Sequence, residues 1–339
     1  MTKVQRTASK VAWSVKKQSA FGTALVKTDL TRFLRLAEPL IIKQDAELWT
    51  DRGMIGGGHD WETQSGILRQ YVQFDLPSQA MPIDFAGYLL ALFFDSETPE
   101  NKTGYYEHTM KFPALAGTPA AVVTTLAMLE EGNDYYLQDI APQSLTLRGD
   151  GSNKMEMGGS FLASKIGGTL SSYTWPNAAD LRYVWNYAGV FAFATDKKSQ
   201  VRSFELTLNK GINLDLAFQK VALEANRIYP QAWIYTPERN VSLKISLLDE
   251  SGDLATWQAA QKIATEINFV LSCVGKAIDE TGFDGVQITI PKSVIKAVDY
   301  NYPNGLLQVD LTIEGHYDST TGGPCSILVT NDVAAYLGT

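Results

Sequence analysis

The stretch LLQVDLTIEGHYD (residues 306–318) decides the fold class, because its side chains alternate in character. The apolar ones stand at every second position: Leu307, Val309, Leu311 and Ile313. A β-strand directs successive side chains to opposite faces of its sheet. One face of this strand is therefore apolar and suited to a core. The other is polar and acidic, and it faces either bulk solvent or an enclosed space.

The same period of two recurs along the chain. VRSFELTLN (residues 201–209) places three apolar side chains on one face, and NVSLKISLLD (residues 240–249) places four. The segment 143–164 predicts a hairpin around the turn GDGSN, with a β-bulge at Gly158 and Gly159. We therefore predict a mainly β fold, an antiparallel β-sandwich or barrel with a flanking helix.

Two segments have helical patterns instead. Residues 84–96 predict a helix that begins at Asp84, and residues 251–266 predict one that begins at Ser251. Each helix follows one strand and precedes another, so the order strand, helix, strand occurs twice. This order predicts a duplicated fold, with a basic arm at 1–21, a first half at 22–195 and a second half at 196–339.

Two segments are harder to assign to strands or helices. Residues 53–66 are rich in glycine and polar side chains, which favours a long loop. Residues 171–195 are rich in Ser, Tyr and Trp and carry no clear period.

Charge is spread unevenly along the chain. The net charge is −8, yet six cationic side chains precede the first acidic one, Asp29. An acidic body disfavours binding to nucleic-acid phosphates, whereas a basic arm suits an acidic neighbour. We predict contacts between subunits for five of these cations: Lys3, Arg6, Lys10, Lys16 and Lys17. Deleting residues 1–18 should then weaken assembly and leave the fold intact.

The sequence lacks the residue patterns of a catalytic or metal-binding site. The histidines His59, His108 and His316 lie in separate segments, which predicts surface or interface positions for them. Cys273 and Cys325 have apolar or turn-like surroundings and are predicted to be buried free thiols. We predict no catalytic, cofactor or metal site, and hence no enzyme. The longest apolar run is too short to span a membrane, so we expect a protein made in a reducing cytoplasm.

The order of several segments resembles the tail tube (major tail) proteins of long-tailed bacteriophages. The similar segments are FGTALVKTDL (21–30), GYLLALFF (87–94), YYEHTMKFPA (105–114), YLQDIAPQSLTLRGDGSNKMEMGGSFLAS (136–164), VRSFELTLNKGI (201–212), VQITIPKSV (286–294), LLQVDLTIEGHYD (306–318) and ILVTND (327–332). Together they span nearly the whole chain. Each is weak alone, and the order carries the resemblance.

The resemblance implies a virion protein whose inner sheet joins those of its neighbours into a closed barrel. Rings stack into a tube that conducts double-stranded DNA into the host, with other tail proteins at its ends. Six copies of the fold make a ring, so a duplicated chain would form trimers and a single-fold chain hexamers. On this basis Asp310 and Glu314 would face the lumen and repel phosphates. The alternative is that they face bulk water on an ordinary sandwich.

Competing interpretations remain open. The first is a phage adhesin or carbohydrate-binding β-sandwich, in which exposed tryptophans stack on sugar rings. The tryptophans that this interpretation needs are Trp13, Trp49, Trp61, Trp175 and Trp185. A second competitor is another virion building block, such as a capsid or sheath subunit.

Overall fold

The computed structural model describes residues 2–55, 59–112, 121–130, 132–151, 153–177, 181–186, 201–218, 222–224, 227–236, 239–249, 252–278 and 282–338. These residues form mainly antiparallel strands. The strands of the first part of the chain are β1 (Thr2–Ala8), β2 (Lys10–Trp13), β3 (Arg32–Leu34), β4 (Leu40–Ile55), β5 (His59–Ala80), β6 (Thr98–Lys102), β7 (Tyr105–Lys111), β8 (Thr124–Glu130), β9 (Asn133–Asp150), β10 (Glu156–Ala163), β11 (Lys165–Thr169) and β12 (Val184–Asn186). Those that follow are β13 (Val201–Asn209), β14 (Ala222–Glu224), β15 (Arg227–Tyr229), β16 (Asn240–Leu248), β17 (Ile267–Ala277), β18 (Phe283–Asn301), β19 (Gln308–Gly315) and β20 (Ser326–Asn331). The predicted fold class, mainly β with a flanking helix, is confirmed.

Three α-helices lie among the described residues: α1 (Ile83–Phe94), α2 (Leu214–Ala217) and α3 (Leu254–Lys262). Helix α1 is buried on all sides apart from Asp84, which lies in its first turn; Pro82 occupies the N-cap position. In α3 the N-cap position belongs to Asp253, and the Asp249 carboxylate accepts hydrogen bonds from the first backbone N–H groups of the helix, at 2.8 and 3.0 Å. Both predicted helices are thus present, but Asp84 is not the N-cap, and Ser251 lies outside the described residues.

Nine strands form one continuous sheet, which we call the inner sheet, in the order β1-β4-β5-β10-β9-β13-β16-β19-β18. The quartet β4-β5-β10-β9 comes from the first half of the chain and β13-β16-β19-β18 from the second. If the four strands of each quartet are numbered along the chain, they lie across the sheet in the order one, two, four, three. In both quartets the third strand, β9 or β18, is long and forms a hairpin with the fourth. The two halves therefore arrange their strands in the same order within the inner sheet.

The long strands β9 and β18 also connect the inner sheet to two outer sheets. The first half of β9 pairs with β8 and β11, and the first half of β18 pairs with β17 and β20. The boundary at 195 does not separate these sheets cleanly. Strand β7 pairs with β20, and β12 pairs with β17, so strands of the first half complete the outer sheet of the second.

Residues 53–55 and 59–66, expected to lie in a loop, belong instead to the paired strands β4 and β5; residues 56–58 lie outside the described part. Strands β4 and β5 pair continuously from Ile42 opposite Phe74 to Ile55 opposite His59, with two irregularities in register. The backbone pairing set by the buried base of the hairpin extends outward through residues whose composition favours a loop. Composition is a weak guide to strands, because cross-strand pairing decides them.

The predicted bulge at Gly158 and Gly159 is present in β10. Its register with β5 shifts between Met157 and Gly159. A Cβ atom on Gly158 would lie 2.8 Å from the backbone nitrogen of Ser78 and 2.9 Å from the carbonyl oxygen of Leu76. Glycine is required there because the neighbouring backbone approaches too closely for any side chain.

The segment expected to be a basic arm is largely part of the fold. Strand β1 pairs with β4, and β2 pairs with β3 and β8. Trp13 is 1% exposed and packs against Phe74, Phe85, Tyr88 and Phe161. The expectation that residues 1–18 can be removed without harm to the fold is therefore wrong, because the deletion would take a buried tryptophan out of the core.

Candidate assembly surface

The two halves join along one strand pair, which we call the seam. Residues 144–150 of β9 pair with residues 203–209 of β13, in antiparallel register. Leu145 lies opposite Leu208 and Leu147 opposite Leu206, and all four are 0% exposed. Their alternation buries one face of the joint, so the core is continuous across it.

The opposite face of the seam is polar and forms a depression of about 760 Å³. It is lined by three basic and five acidic side chains: Arg148, Lys154, Lys244, Asp150, Glu156, Glu205, Asp299 and Asp310. Across the seam, the Arg148 guanidinium lies 2.7 Å from the Glu205 carboxylate. The depression is thus net acidic, and its charges are interspersed.

Asp310 and Glu314 lie on this same polar face, on β19. Buried and half-buried side chains alternate along that strand, as the sequence predicts. Asp310 accepts hydrogen bonds from the Ser246 hydroxyl and, at 3.1 Å, from the Gln308 amide. Glu314 forms an ion pair with Lys296 at 2.8 Å. Both acids are held by neighbours. Farther along the same face, residues of the segment 212–236 pack against Tyr71 of β5 and Leu162 of β10.

A buried ion pair braces the seam from behind. Lys210, directly after β13, is 1% exposed in its side chain and lies 2.6 Å from the Asp95 carboxylate at the end of α1. It also donates to the carbonyl oxygen of Leu92 at 3.2 Å, and Asp95 accepts from the backbone N–H of Val122 at 2.6 Å. Burial raises the pKa of Asp95 and lowers the pKa of Lys210, and their mutual attraction opposes both shifts.

One end of the inner sheet is an open edge, residues 295–301 of β18. They pair with β19 on one side and with no strand of the described chain on the other. Large apolar side chains are exposed there and in the turn that follows: Tyr300 by 53%, Tyr302 by 64% and Leu306 by 55%. An exposed strand edge with apolar neighbours favours pairing with another chain.

The other end is a covered edge, residues 40–46 of β4, which pair with β1 over seven residue pairs. Arg6 of β1 forms an ion pair with Glu130 at 3.0 Å, and its guanidinium lies 5.9 Å from the centre of the Tyr135 ring. On the polar face, Ile41 remains 43% exposed.

A β-bulge aligns the open edge with the seam. In β9, Gln143 is the extra residue where the pairing passes from Phe161 to Ser160; in β18, Lys296 is the extra residue between Ile313 and Thr312. Counting outward from each bulge makes Leu145 equivalent to Val298 and Leu147 equivalent to Tyr300. The same positions are thus fully buried in the seam and partly or largely exposed at the open edge.

The predicted arm residues are found in separate places. Arg6 and Lys16 form ion pairs within their own chain, Lys16 with Asp29 at 3.1 Å. Lys10, on β2, and Lys17 are exposed, and the side chain of Lys3 is outside the described part. Only Lys3 and Arg6 lie on β1, at the covered edge.

The tryptophans do not form one exposed set. Trp13 is buried, and Trp175 is partly buried and donates to the Asp134 carboxylate at 2.9 Å. Trp185 is 49% exposed. The side chains of Trp49 and Trp61 lie outside the described part of the chain.

The thiol prediction is confirmed, since Cys273 and Cys325 are buried and free, and burial raises the pKa of Cys273 to about 12.

The prediction for His108 is wrong. Its ring is 0% exposed, 2.7 Å from the carbonyl oxygen of Val333 and 3.2 Å from Glu97. Glu97 also accepts from the backbone N–H groups of Tyr336 and Leu337, so this pair anchors the end of the chain. Burial acts against the Glu97 carboxylate, but these donors outweigh it and hold its pKa below the usual range.

Sequence reasoning missed the seam, its ion pair and the covered edge. Lys210 follows β13 in a segment that reads as an ordinary polar turn, and Asp95 reads as a solvated helix end. The signal available was the shared alternation of 144–150 and 203–209, which marks two strands with one apolar face each but does not say that they pair.

A comparison with protein-family models gives no match, and neither does a comparison with curated proteins. Among the described residues, no helix has the length and apolar character needed to cross a membrane.

Proposed function

We propose that this chain is a virion structural protein that forms the rings of a phage tail tube. The single observation that carries the proposal is the seam, in which two quartets of the same strand order already join edge to edge within one chain. Repeating that joint between chains would link the open edge of one copy to the β4 edge of the next. Three chains would then supply six quartets, so we propose a trimeric ring.

The bulge alignment specifies the joint between chains. Leu206 of β13 and Ile42 of β4 occupy equivalent positions. From Ile313, beside the bulge of β18, the cross-strand pairs lead through Leu243 to Leu206. From Phe161, beside the bulge of β9, they lead through Phe74 to Ile42. The seam register then puts Tyr300 opposite Ile42 of the next chain, on the apolar face. It puts Asp299 opposite Lys43, on the polar face, where opposite charges stabilise a cross-strand pair.

Ring closure would turn the polar face of the inner sheet toward a shared channel. A closed barrel has no sheet edges, and its inner side would be the face opposite the apolar core. Its lining would include Asp310 and Glu314 together with the mixed charges of the depression. A net acidic wall repels DNA phosphates, so DNA would pass without the strong binding that a basic wall produces. We propose no catalytic role and no cofactor for this surface.

The adhesin alternative has less support, because Trp13 and Trp175 are engaged within the fold and leave Trp185 as the exposed tryptophan of the described set. Trp185 shares a depression of about 670 Å³ with charged side chains that include Arg182 and Asp332, but of the tryptophans expected to stack on sugars it is the only exposed one among the described side chains.

The decisive experiment is the mass of the smallest stable oligomer, measured over a range of protein concentrations, with averaged electron micrographs viewed along the particle axis. We expect three chains per ring and stacked rings at high concentration. An adhesin would give isolated trimers or monomers without stacking. Single chains at every concentration would overturn the proposal.

A further inference from the structure

The covered edge raises a conflict with the proposed ring, and the conflict itself is informative. The seam predicts that β18 of a neighbouring copy pairs with residues 41–45 of β4. In the single chain the same stretch is already paired with β1. Along each of its two edges a strand can pair with one neighbour. Strand β1 and the incoming β18 need the same N–H and C=O groups of β4, so they exclude each other.

The second half of the chain provides the reference state. Its first strand, β13, pairs directly with β9, and no additional strand lies between them. At the equivalent position of the first half, β1 pairs with β4 and takes the place of the neighbour. We infer that β1 is a removable cover of the β4 edge, which yields to β18 of a second copy during assembly. This inference rests on the proposed ring and names what regulates its joint.

The local structure suits such a release. Between β1 and β2 lies the exposed Ser9, and the following strand is fixed by the buried Trp13. The side-chain hold on β1 includes the partly exposed Arg6–Glu130 ion pair, and pairs of that kind are weak. A hinge at Ser9 would free residues 2–8; of the side chains at positions 5–8, only that of Ala8, which is 0% exposed, would leave the core.

Covering also gives the single chain a benefit. An uncovered β4 edge and an open β18 edge on one molecule would pair with any copy encountered, in any register. With β1 in place, only one of the two complementary edges is available. Displacement would then be favoured when the incoming β18 buries Tyr300 against Ile42 and places Asp299 opposite Lys43.

A reversible cross-link tests the inference. Thr7 lies opposite Ile41 and both are exposed, so Thr7→Cys with Ile41→Cys places two thiols within reach of a disulfide. The native Cys273 and Cys325 are buried and do not compete. We expect the oxidised variant to form no rings at concentrations at which the reduced variant forms them. The apparent critical concentration for ring formation should be at least about tenfold lower for the reduced than for the oxidised protein.

A matched control pins a strand that need not move. Thr98 and Thr109 lie opposite each other and are both exposed, so Thr98→Cys with Thr109→Cys joins β6 to β7, and rings should form whether it is oxidised or reduced. Rings from the oxidised Thr7→Cys/Ile41→Cys protein, with the cross-link verified by mass, would overturn the inference while leaving the proposed function standing. Failure of the unaltered protein to form rings would overturn both.

Hydrogen exchange provides a second measurement that needs no variant. On assembly, the amides of residues 2–8 should lose protection and those of residues 295–301 should gain it. If residues 2–8 kept the protection of the single chain while residues 295–301 became protected, β1 would not be displaced.

Discussion

The seam and the open edge are the same structural position in two states, one filled and one empty. At the seam, Leu147 is 0% exposed because β13 lies beside it; at the open edge its equivalent, Tyr300, is 53% exposed. Strand order, hairpin partner and bulge are alike in the two places. The difference shows that burial here depends on which strand arrives at the edge, since the ladder behind it is already complete.

The largest expected effect comes from removing the brace of the seam, which the open edge lacks. Lys210→Ala leaves the Asp95 carboxylate buried without its cation, and breaking a buried pair this way costs about 3–5 kcal/mol. The measurement is urea unfolding at neutral pH. The double variant Lys210→Met with Asp95→Asn should regain most of the loss, because it removes both charges of the pair together.

The pH dependence of Lys210→Ala sharpens the same test. Without Lys210, the folded-state pKa of Asp95 rises further above its unfolded value. The folded state then binds a proton that the unfolded chain has lost, so stability falls as pH rises through that interval. We expect the penalty to be full at about pH 8 and smaller at about pH 4. An equal penalty at both would contradict the role given to the carboxylate.

The next effect compares the equivalent residues directly. Leu147→Ala should lower the free energy of unfolding of the single chain by about 2–5 kcal/mol, because it opens a cavity in the seam. Tyr300→Ala should change it by less than about 0.5 kcal/mol, as for other surface sites, yet weaken ring formation. Thermal unfolding and oligomer mass separate the two results. Equal losses of stability would mean that the open edge is not an unfilled seam.

A smaller effect tests the register of the joint between chains. Asp299→Lys puts a cation opposite Lys43 and should weaken each joint by about 0.2–1 kcal/mol, with the single chain unaffected. Adding Lys43→Asp should restore part of the loss. The rescue is partial because Lys43 lies 3.8 Å from Asp75, which the new carboxylate would repel. If sedimentation showed that the two substitutions each weaken ring formation and that their effects add, Asp299 and Lys43 would not be neighbours across the joint.

The smallest effect concerns the polar side of the seam. Arg148→Ala removes the ion pair with Glu205, whose side chains are 51% and 31% exposed, so the loss of stability should be about 0–1 kcal/mol. High salt should reduce the difference further. A loss above about 2 kcal/mol would show that this pair, rather than the apolar face, holds the seam.

Much of the fold was predictable because local periodicity reports local burial. The alternation in β13, β16 and β19, the helix α1 and the two buried thiols all follow from apolar side chains and their spacing. The hairpin of β4 and β5 was not predictable in this way, since its outer part pairs through backbone groups that composition does not reveal.

Of the assembly surface, too, the sequence predicts what depends on local alternation but not which strands pair. The sequence by itself determined that Asp310 and Glu314 share a polar face, because a strand alternates and their spacing is even. Only the tertiary structure decided that β9 meets β13, that Lys210 meets Asp95 and that β1 occupies the edge of β4. The physical reason is that edge pairing uses backbone groups common to every residue, so the partner of an edge is selected by the assembled sheet and not by a local pattern.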